Sequence, residues 1–429
     1  MKIFETGRDC TADIVSALTT ESHGPDPELQ KTVSRIIDDV RQRGDAALLE
    51  MGRRFDSPDL QGIRVGEDEF DAAYAGVKPT LLEAIRTAKA NIERFHQKQL
   101  QNSWMDMGEG FTYGQIVRPI EKVGFYAPGG LAPYPSTVLM TAVPGVVAGV
   151  GAMVMCCPAQ KDGTASGPML VAARECGVTD VFKIGGAQAA AAMAFGTDTV
   201  PKVDKIVGPG NQYVTEAKRQ LFGYVGIDQI AGPSEILVLA DDTANPAYVA
   251  ADILSQAEHG PDSPCALITT SRKLADMVLH ELKQQTQAAT RRDFINESLE
   301  KRCVVVIARN VDECADLANI FAPEHLEIAM ADPWDVVRKI KNAGMIMLGH
   351  FTPVPLCDFA AGPNHTLPTS GTARFSSPLG VDDFIKKSGL LSYTPEALRN
   401  IAPVVAEIAE AEGFDAHANT IRIRLKSND

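Results

Sequence analysis

Residues 123–130 read VGFYAPGG, 152–158 AMVMCCP, 180–186 DVFKIGG and 203–210 VDKIVGPG. Each is a short apolar run closed by glycine or proline, and helix-forming stretches lie between and after them: STVLMTAVPGVVAGV at 136–150, AQAAAAMAFG at 187–196 and NQYVTEAKRQLF at 211–222. A strand that faces water on one side alternates apolar and polar residues. A continuous apolar run has to be covered on both faces, and helical crossovers supply that cover in a parallel sheet. A second series follows the same logic: EILVLAD at 235–241, CALITT at 265–270, CVVVIA at 303–308, LEIAM at 326–330 and MIMLGH at 345–350. The expected fold class is α/β, with two parallel-sheet units side by side.

Outward from these runs the pattern changes. The stretches LQKTVSRIIDDVRQRGDAALLEMGRRF (29–55) and LLEAIRTAKANIERFHQKQL (81–100) carry apolar residues at helical spacing and nothing that looks catalytic. Residues 351–380 are rich in proline, glycine, serine and threonine, and long loops on compact domains are usually functional. After VDDFIKKS (381–388) come a helix at 394–413 and a closing DAHANTIRIRL. That tail is too small to fold alone, so it has to pack on another domain or another subunit.

With 429 residues, 45% of them hydrophobic, the chain can fill two or three cores. A formal net charge of -14 argues against nucleic acid and anionic membranes, both of which reward a basic surface, and favours a small-molecule ligand. Residues 123–160 contain no charged side chain, but Pro128, Pro133, Pro135 and Pro144 interrupt them, so they read as buried core and not as a membrane span. Residues 1–10 carry charges and no apolar block, which is unlike a secretory signal. The eight cysteines show no Cys-x-x-Cys spacing and read as reduced cytoplasmic thiols, mostly small core residues.

Open parallel sheets take ligands at the carboxyl ends of their strands, which directs attention to FYAPGG, KIGGAQ, VGPGNQ, AGPSE, APEH and AGPNHTLPTSGTARFSS. Asn211 is placed to cap the helix after GPG. No Gly-x-Gly-x-x-Gly follows any of the strands, so a dinucleotide would not use the standard pyrophosphate turn.

Of the eight histidines, His23, His96, His280 and His350 sit in ordinary helical or loop settings, whereas His259, His325, His365 and His417 lie beside acids, amides and small residues. If ADILSQAEHG (251–260) is helical, Gln256 and His259 share a face and suit one metal ion. Asp358 would add a carboxylate and His417 a second imidazole, a donor set that fits zinc and related divalent ions. The same residues also read as a helix-end histidine, a turn aspartate and a surface histidine. Glu324 and His325 in FAPEHLEI are either two proton acceptors at one site or a loop-end pair.

These segments, with PSTVLMTAVP, GGAQA, GPGNQYVTEAKRQL, IDQIAGPSEILVLAD, LSQAEHGPDS, APEHLEI, GPNHTLPTSGTARFSSPLGVDDF and AEGFDAHANTIRIRL, together resemble the histidinol dehydrogenase family over essentially the whole chain. The resemblance implies two incomplete Rossmann-like parallel-sheet domains with small helical N- and C-terminal segments. An N-terminal segment (1–22) would precede a main domain (23–122 with 235–378) carrying the metal and catalytic residues. An inserted α/β domain (123–234) would make the NAD contacts, and a C-terminal segment (379–429) would pack on the partner subunit of an intertwined homodimer.

The resemblance further implies oxidation of L-histidinol through its aldehyde to L-histidine, each step passing a hydride to NAD, in histidine biosynthesis in the cytoplasm. It places one zinc ion per subunit on Gln256, His259, Asp358 and the partner's copy of His417. It makes His325 the general base and Glu324 the group that activates water. Ser234, His365 and Glu412 would be further substrate contacts beside the metal-site residues and His325, and Tyr126, Gln188 and Asn211 NAD contacts. Two positions depart from the family's pattern: Cys357 stands where glycine is expected, and Phe359 where tyrosine is common. A thiol beside Asp358 raises the prospect of oxidation or of metal binding. The competing readings are a relative on the same scaffold that oxidises another hydroxylated compound, such as a sulfonated diol, and a catalytically silent metal-binding protein.

Overall fold

The computed structural model describes residues 1–19, 26–129 and 133–426; His23 and Gly130, singled out above, lie outside the described residues, as does the expected boundary at 22/23. The chain divides into two compact units, Met1–Gln99 with Ile120–Phe384, and Leu100–Pro119 with Ile385–Asp429.

The first unit contains both expected parallel sheets. One has six strands in the spatial order Lys2–Glu5, Cys303–Ile307, Cys265–Thr269, Ile236–Ala240, His325–Ala329 and Met345–Leu348. The other has five, in the order Asp180–Lys183, Ala152–Cys157, Lys122–Tyr126, Lys205–Val207 and Gly226–Ile227. The apolar runs behave as the sequence predicts. In Ile236–Ala240 every residue is buried, with Ile236, Val238 and Ala240 in one core and Leu237 and Leu239 in the core on the opposite face. Successive side chains on a strand point to opposite faces, so an unbroken apolar run feeds two cores at once.

Stretch 29–55 forms two helices, Pro27–Arg43 and Asp45–Phe55, separated at Gly44, whose φ of 53° ends the first. Val33, Ile37 and Val40 recur at helical spacing and share a core with the alanine-rich helix Gly186–Phe195. That helix is buried nearly throughout, and its alanines let the layers on either side approach closely. The uncharged stretch 123–160 resolves into the strand Lys122–Tyr126, the helix Pro135–Ala148 and the strand Ala152–Cys157. Among the described residues no helix is long and apolar enough to cross a membrane. Strand Lys2–Glu5 has no counterpart in the sequence reading; four residues carry too little pattern, and the strand exists through its pairing with Cys303–Ile307.

The second unit is an antiparallel three-stranded sheet, Ile385–Tyr393, Phe111–Pro119 and Trp104–Gly108, together with the helices Pro395–Ala411 and Asp415–Lys426. It leaves large apolar side chains in solvent: Met107 is 77% exposed, Leu391 71% and Ile408 56%. A soluble surface seldom carries that much apolar area without a use for it.

Candidate active site

In the six-stranded sheet, His325 pairs in register with Ile236, which brings the residues just before each strand, Glu324 and Glu235, side by side. The helix Pro246–Ala257 runs back from the strand Ile236–Ala240, so its last turn returns Gln256 to the same edge. His259 is not on that helix, which ends at Ala257; it lies in the turn beyond, where its N–H donates to the Gln256 carbonyl at 3.1 Å. The two are neighbours through a helix-end turn and not through a shared helical face. Asp358 likewise sits on a short helix, Val354–Phe359, and not in open loop.

From the other side come the loops at the carboxyl ends of the five-stranded sheet. The turn at 208–210 is possible only with glycine first: Gly208 has φ 102°, and a Cβ there would stand 2.5 Å from the Tyr126 carbonyl oxygen. Asn211 then caps the helix Gln212–Leu221, its side-chain oxygen accepting from the N–H groups of Tyr213 and Val214, as its position after GPG predicts.

Between these two edges lies a cleft of about 420 Å3, lined by Asn211, Ser234, Gln256, His259, Glu324, His325, Asp358 and His365 among others. The carboxyl-end rule therefore holds for one sheet only. APEH leads into its strand, of which His325 is the first residue, and the cleft joins the carboxyl edge of the five-stranded sheet to the amino edge of the six-stranded one. The physical reason is the crossover helix, which carries Gln256 back to where its strand began.

At the centre, His325 is 3% and Glu324 5% exposed. The imidazole Nε2 lies 3.2 Å from Asp358 Oδ1, and Nδ1 lies 3.2 Å from the Glu235 carbonyl oxygen and 3.6 Å from Glu324 Oε2. Burial pulls this imidazole down, but the carboxylates of Glu324 and Asp358 outweigh it and push it up to about 10. Burial pushes Asp358 up, yet His325 and, more weakly, His365 and His259 hold its carboxyl below the usual range. His365 is turned by two contacts, Nδ1 to the Asp358 carbonyl oxygen at 2.8 Å and Nε2 to Thr137 Oγ1 at 3.2 Å, and desolvation keeps its ring on the neutral side. Gln256 is 1% exposed, and its Oε1 has no hydrogen-bond partner among the described residues. A buried amide oxygen left unpaired is costly, which makes it a candidate for a ligand that brings positive charge.

The other expected residues lie elsewhere. Tyr126 and Gln188 are buried near the turn at 185–186, where the Tyr126 hydroxyl accepts from the Gly186 N–H at 3.2 Å. Glu412 and His417 belong to the second unit, on the exposed end of one helix and the exposed face of the next, with the His417 ring 5.1 Å from that of Phe414. Cys357, beside Asp358, is 2% exposed, and burial pushes its thiol up to about 12, which disfavours a free thiolate at that position. Sequence reasoning missed Glu235, Thr137 and Thr366, which touch or line the site. For Glu235 a signal existed, an acid leading directly into a wholly apolar strand; Thr137 and Thr366 offered none.

The sequence model of histidinol dehydrogenase matches residues 20–425. A histidinol dehydrogenase of Clostridium acetobutylicum is 50% identical over 400 residues, covering 93% of each chain. One from Caldanaerobacter subterraneus subsp. tengcongensis is 48% identical over 427 residues, covering 99% of each. The crystal structure of histidinol dehydrogenase from Elizabethkingia anophelis superposes with a TM-score of 0.94 at 39% identity, covering 100% of this chain and 98% of that one. Fold, cleft and likeness over the full length agree, and the chain belongs to the histidinol dehydrogenase family.

Proposed function

We propose that this protein oxidises L-histidinol to L-histidine in two steps at the one cleft, using NAD and a divalent ion of the zinc class. The observation that carries the reading is the convergence of Ser234, Gln256, His259, Glu324, His325, Asp358 and His365, drawn from five separate segments, on a single cavity.

The residues present fit the ion. The orphaned Gln256 oxygen, the Asp358 carboxylate and the His259 imidazole are oxygen and nitrogen donors of the right kind. Among the described residues no three His, Cys, Asp or Glu side chains form a metal group, which follows from the set itself: one donor is an amide, and the remaining imidazole, His417, is proposed to come from a partner subunit. When bound, the ion would orient the substrate and NAD would accept the hydride. The chain's own groups do the rest. The Glu235 carbonyl accepts a hydrogen bond from the Nδ1–H of His325, which leaves Nε2 as the atom that removes the substrate's hydroxyl proton. In the free chain the Asp358 contact holds a proton on Nε2, so Asp358 has to engage another partner in the working site. Glu324, buried beside the ring, then takes a proton from the water that hydrates the aldehyde.

Ser234, His365 and Glu412 would hold the substrate, and Tyr126, Gln188 and Asn211 the nucleotide, with residues 123–234 as the NAD-contacting part, 23–122 with 235–378 as the catalytic part and 379–429 reaching to the partner. The exposed apolar side chains of the second unit support a homodimer. Eight free cysteines, seven of them buried, suit the cytoplasm as the place of work.

The test is NADH formation from L-histidinol by the purified protein, before and after chelation and after zinc is restored. About two NADH per histidinol, lost with the metal and regained with it, is the expected result. No NADH from histidinol by the zinc-loaded, folded protein refutes the proposal.

A further inference from the structure

We propose that Glu235 is a positioning residue for the Glu324–His325 pair, a role that rests on the reading of that pair as the proton-transfer groups. Glu235 is 1% exposed and stands immediately before the strand Ile236–Ala240. It exchanges two hydrogen bonds with Glu324 across the sheet: the Glu235 N–H donates to Glu324 Oε2 at 2.8 Å, and the Glu324 N–H donates to Glu235 Oε1 at 3.1 Å. Its carbonyl oxygen meets His325 twice, accepting from the backbone N–H at 3.3 Å and lying 3.2 Å from Nδ1. One residue thus fixes the carboxylate of the first group and the ring of the second.

The side chain does something the backbone does not. Glu235 Oε1 also accepts the N–H of Ser370, at 3.1 Å, in the long loop that carries His365. Among the described residues only two non-glycine residues have positive φ, Ala322 at 53° and Ser370 at 54°. Ala322 lies two residues before Glu324, and Ser370 is the second donor itself. A left-handed alanine or serine persists only where its surroundings over-determine it, and such residues gather at functional sites. A single carboxyl oxygen therefore ties together the two strained segments that bound the catalytic edge of the cleft. Burial and the neighbouring Glu324 push this carboxyl up to about 8, so at neutral pH the adjacent acids need not both be charged, and a glutamine imitates the form Glu235 takes.

The experiment compares Glu235→Gln and Glu235→Ala in the zinc-loaded enzyme by kcat, histidinol KM, zinc content and thermal midpoint, and by amide exchange at Glu324 and Ser370. In Glu235→Ala, kcat is expected to fall about 10- to 100-fold while KM and zinc content stay within about twofold, because the groups are displaced and the binding set is not touched. Glu235→Gln keeps both acceptor contacts and is expected to stay within about threefold of the parent in kcat. Amide exchange at both positions speeds up in the alanine variant and not in the glutamine variant. An unchanged kcat in Glu235→Ala, a glutamine variant as slow as the alanine one, or an alanine variant that loses zinc and fold together overturns the proposal. The exchange measurement does not depend on the substrate, so failure of the parent to oxidise histidinol would strike the functional reading and leave the clamp to be judged separately.

Discussion

Replacing Lys218 with methionine strips the cation from a buried ion pair beneath the turn at 208–211. Lys218 Nζ pairs with Asp228 Oδ1, both side chains being 3% exposed, and donates to the Gly208 carbonyl at 3.0 Å. Asp228 in turn accepts from the N–H groups of Gly208 at 2.8 Å and Gln229 at 2.7 Å. Removing one partner of a buried pair costs about 3–5 kcal/mol. Two backbone donors still hold Asp228, which favours the lower end, and the stranded Gly208 carbonyl adds about 1 kcal/mol, for a total near 4 kcal/mol. If that energy is lost through local opening, amide exchange over 208–215 accelerates about 1,000-fold, at about 1.4 kcal/mol per factor of ten. Hydrogen–deuterium exchange read by mass spectrometry on peptides from this segment measures it directly. Lys218→Met combined with Asp228→Asn, which removes the stranded charge while keeping an acceptor, is expected to recover most of the protection. Exchange within about threefold of the parent in the single variant, or no recovery in the double, refutes the argument. Because the turn presents Gly210 and Asn211 to the cleft, the single variant should raise the KM for NAD more than that for histidinol.

His325→Ala is expected to lower kcat by about 100- to 10,000-fold in a protein that still folds, measured by NADH formation; a loss below about tenfold would remove His325 as the base. Glu327 shares a hydrogen bond with Asp252, and burial followed by the Asp252 charge pushes its carboxyl up to about 9. The folded chain keeps a proton that the unfolded chain releases near 4.5, so stability declines as pH rises between those values, by up to about 1.4 kcal/mol per pH unit. Glu327→Gln should flatten that decline in thermal midpoints taken from pH 5 to pH 9, about one proton's worth of slope, and an unchanged slope would contradict it. Cys10 is exposed and the other seven cysteines are buried, so a thiol reagent on the native protein should label Cys10 rapidly; rapid labelling of Cys357 would show the loop around Asp358 to be open.

Much of the first unit was legible because burial on both faces leaves an unmistakable mark. EILVLAD, CALITT and CVVVIA each became a strand feeding two cores. The hairpin at 104–119 and the strand Ile385–Tyr393 were not legible, since their residues are mostly exposed or half-buried and mix glycine, charge and apolar side chains without a period. His259 falls two residues beyond the helix that the sequence pattern extends to it: EHG continues a helical pattern in sequence, but the chain leaves the helix at Ala257.

By itself, the sequence determined the fold class and the family, because apolar periodicity and residue type are local properties that survive without coordinates. Only the tertiary structure decided which edge of each sheet faces the cleft, that the backbone N–H groups of Glu324 and Ser370 share one carboxyl oxygen of Glu235, and that the Cys357 thiol is buried. Those features depend on register between strands distant in sequence and on burial, and neither is written in any single stretch of chain.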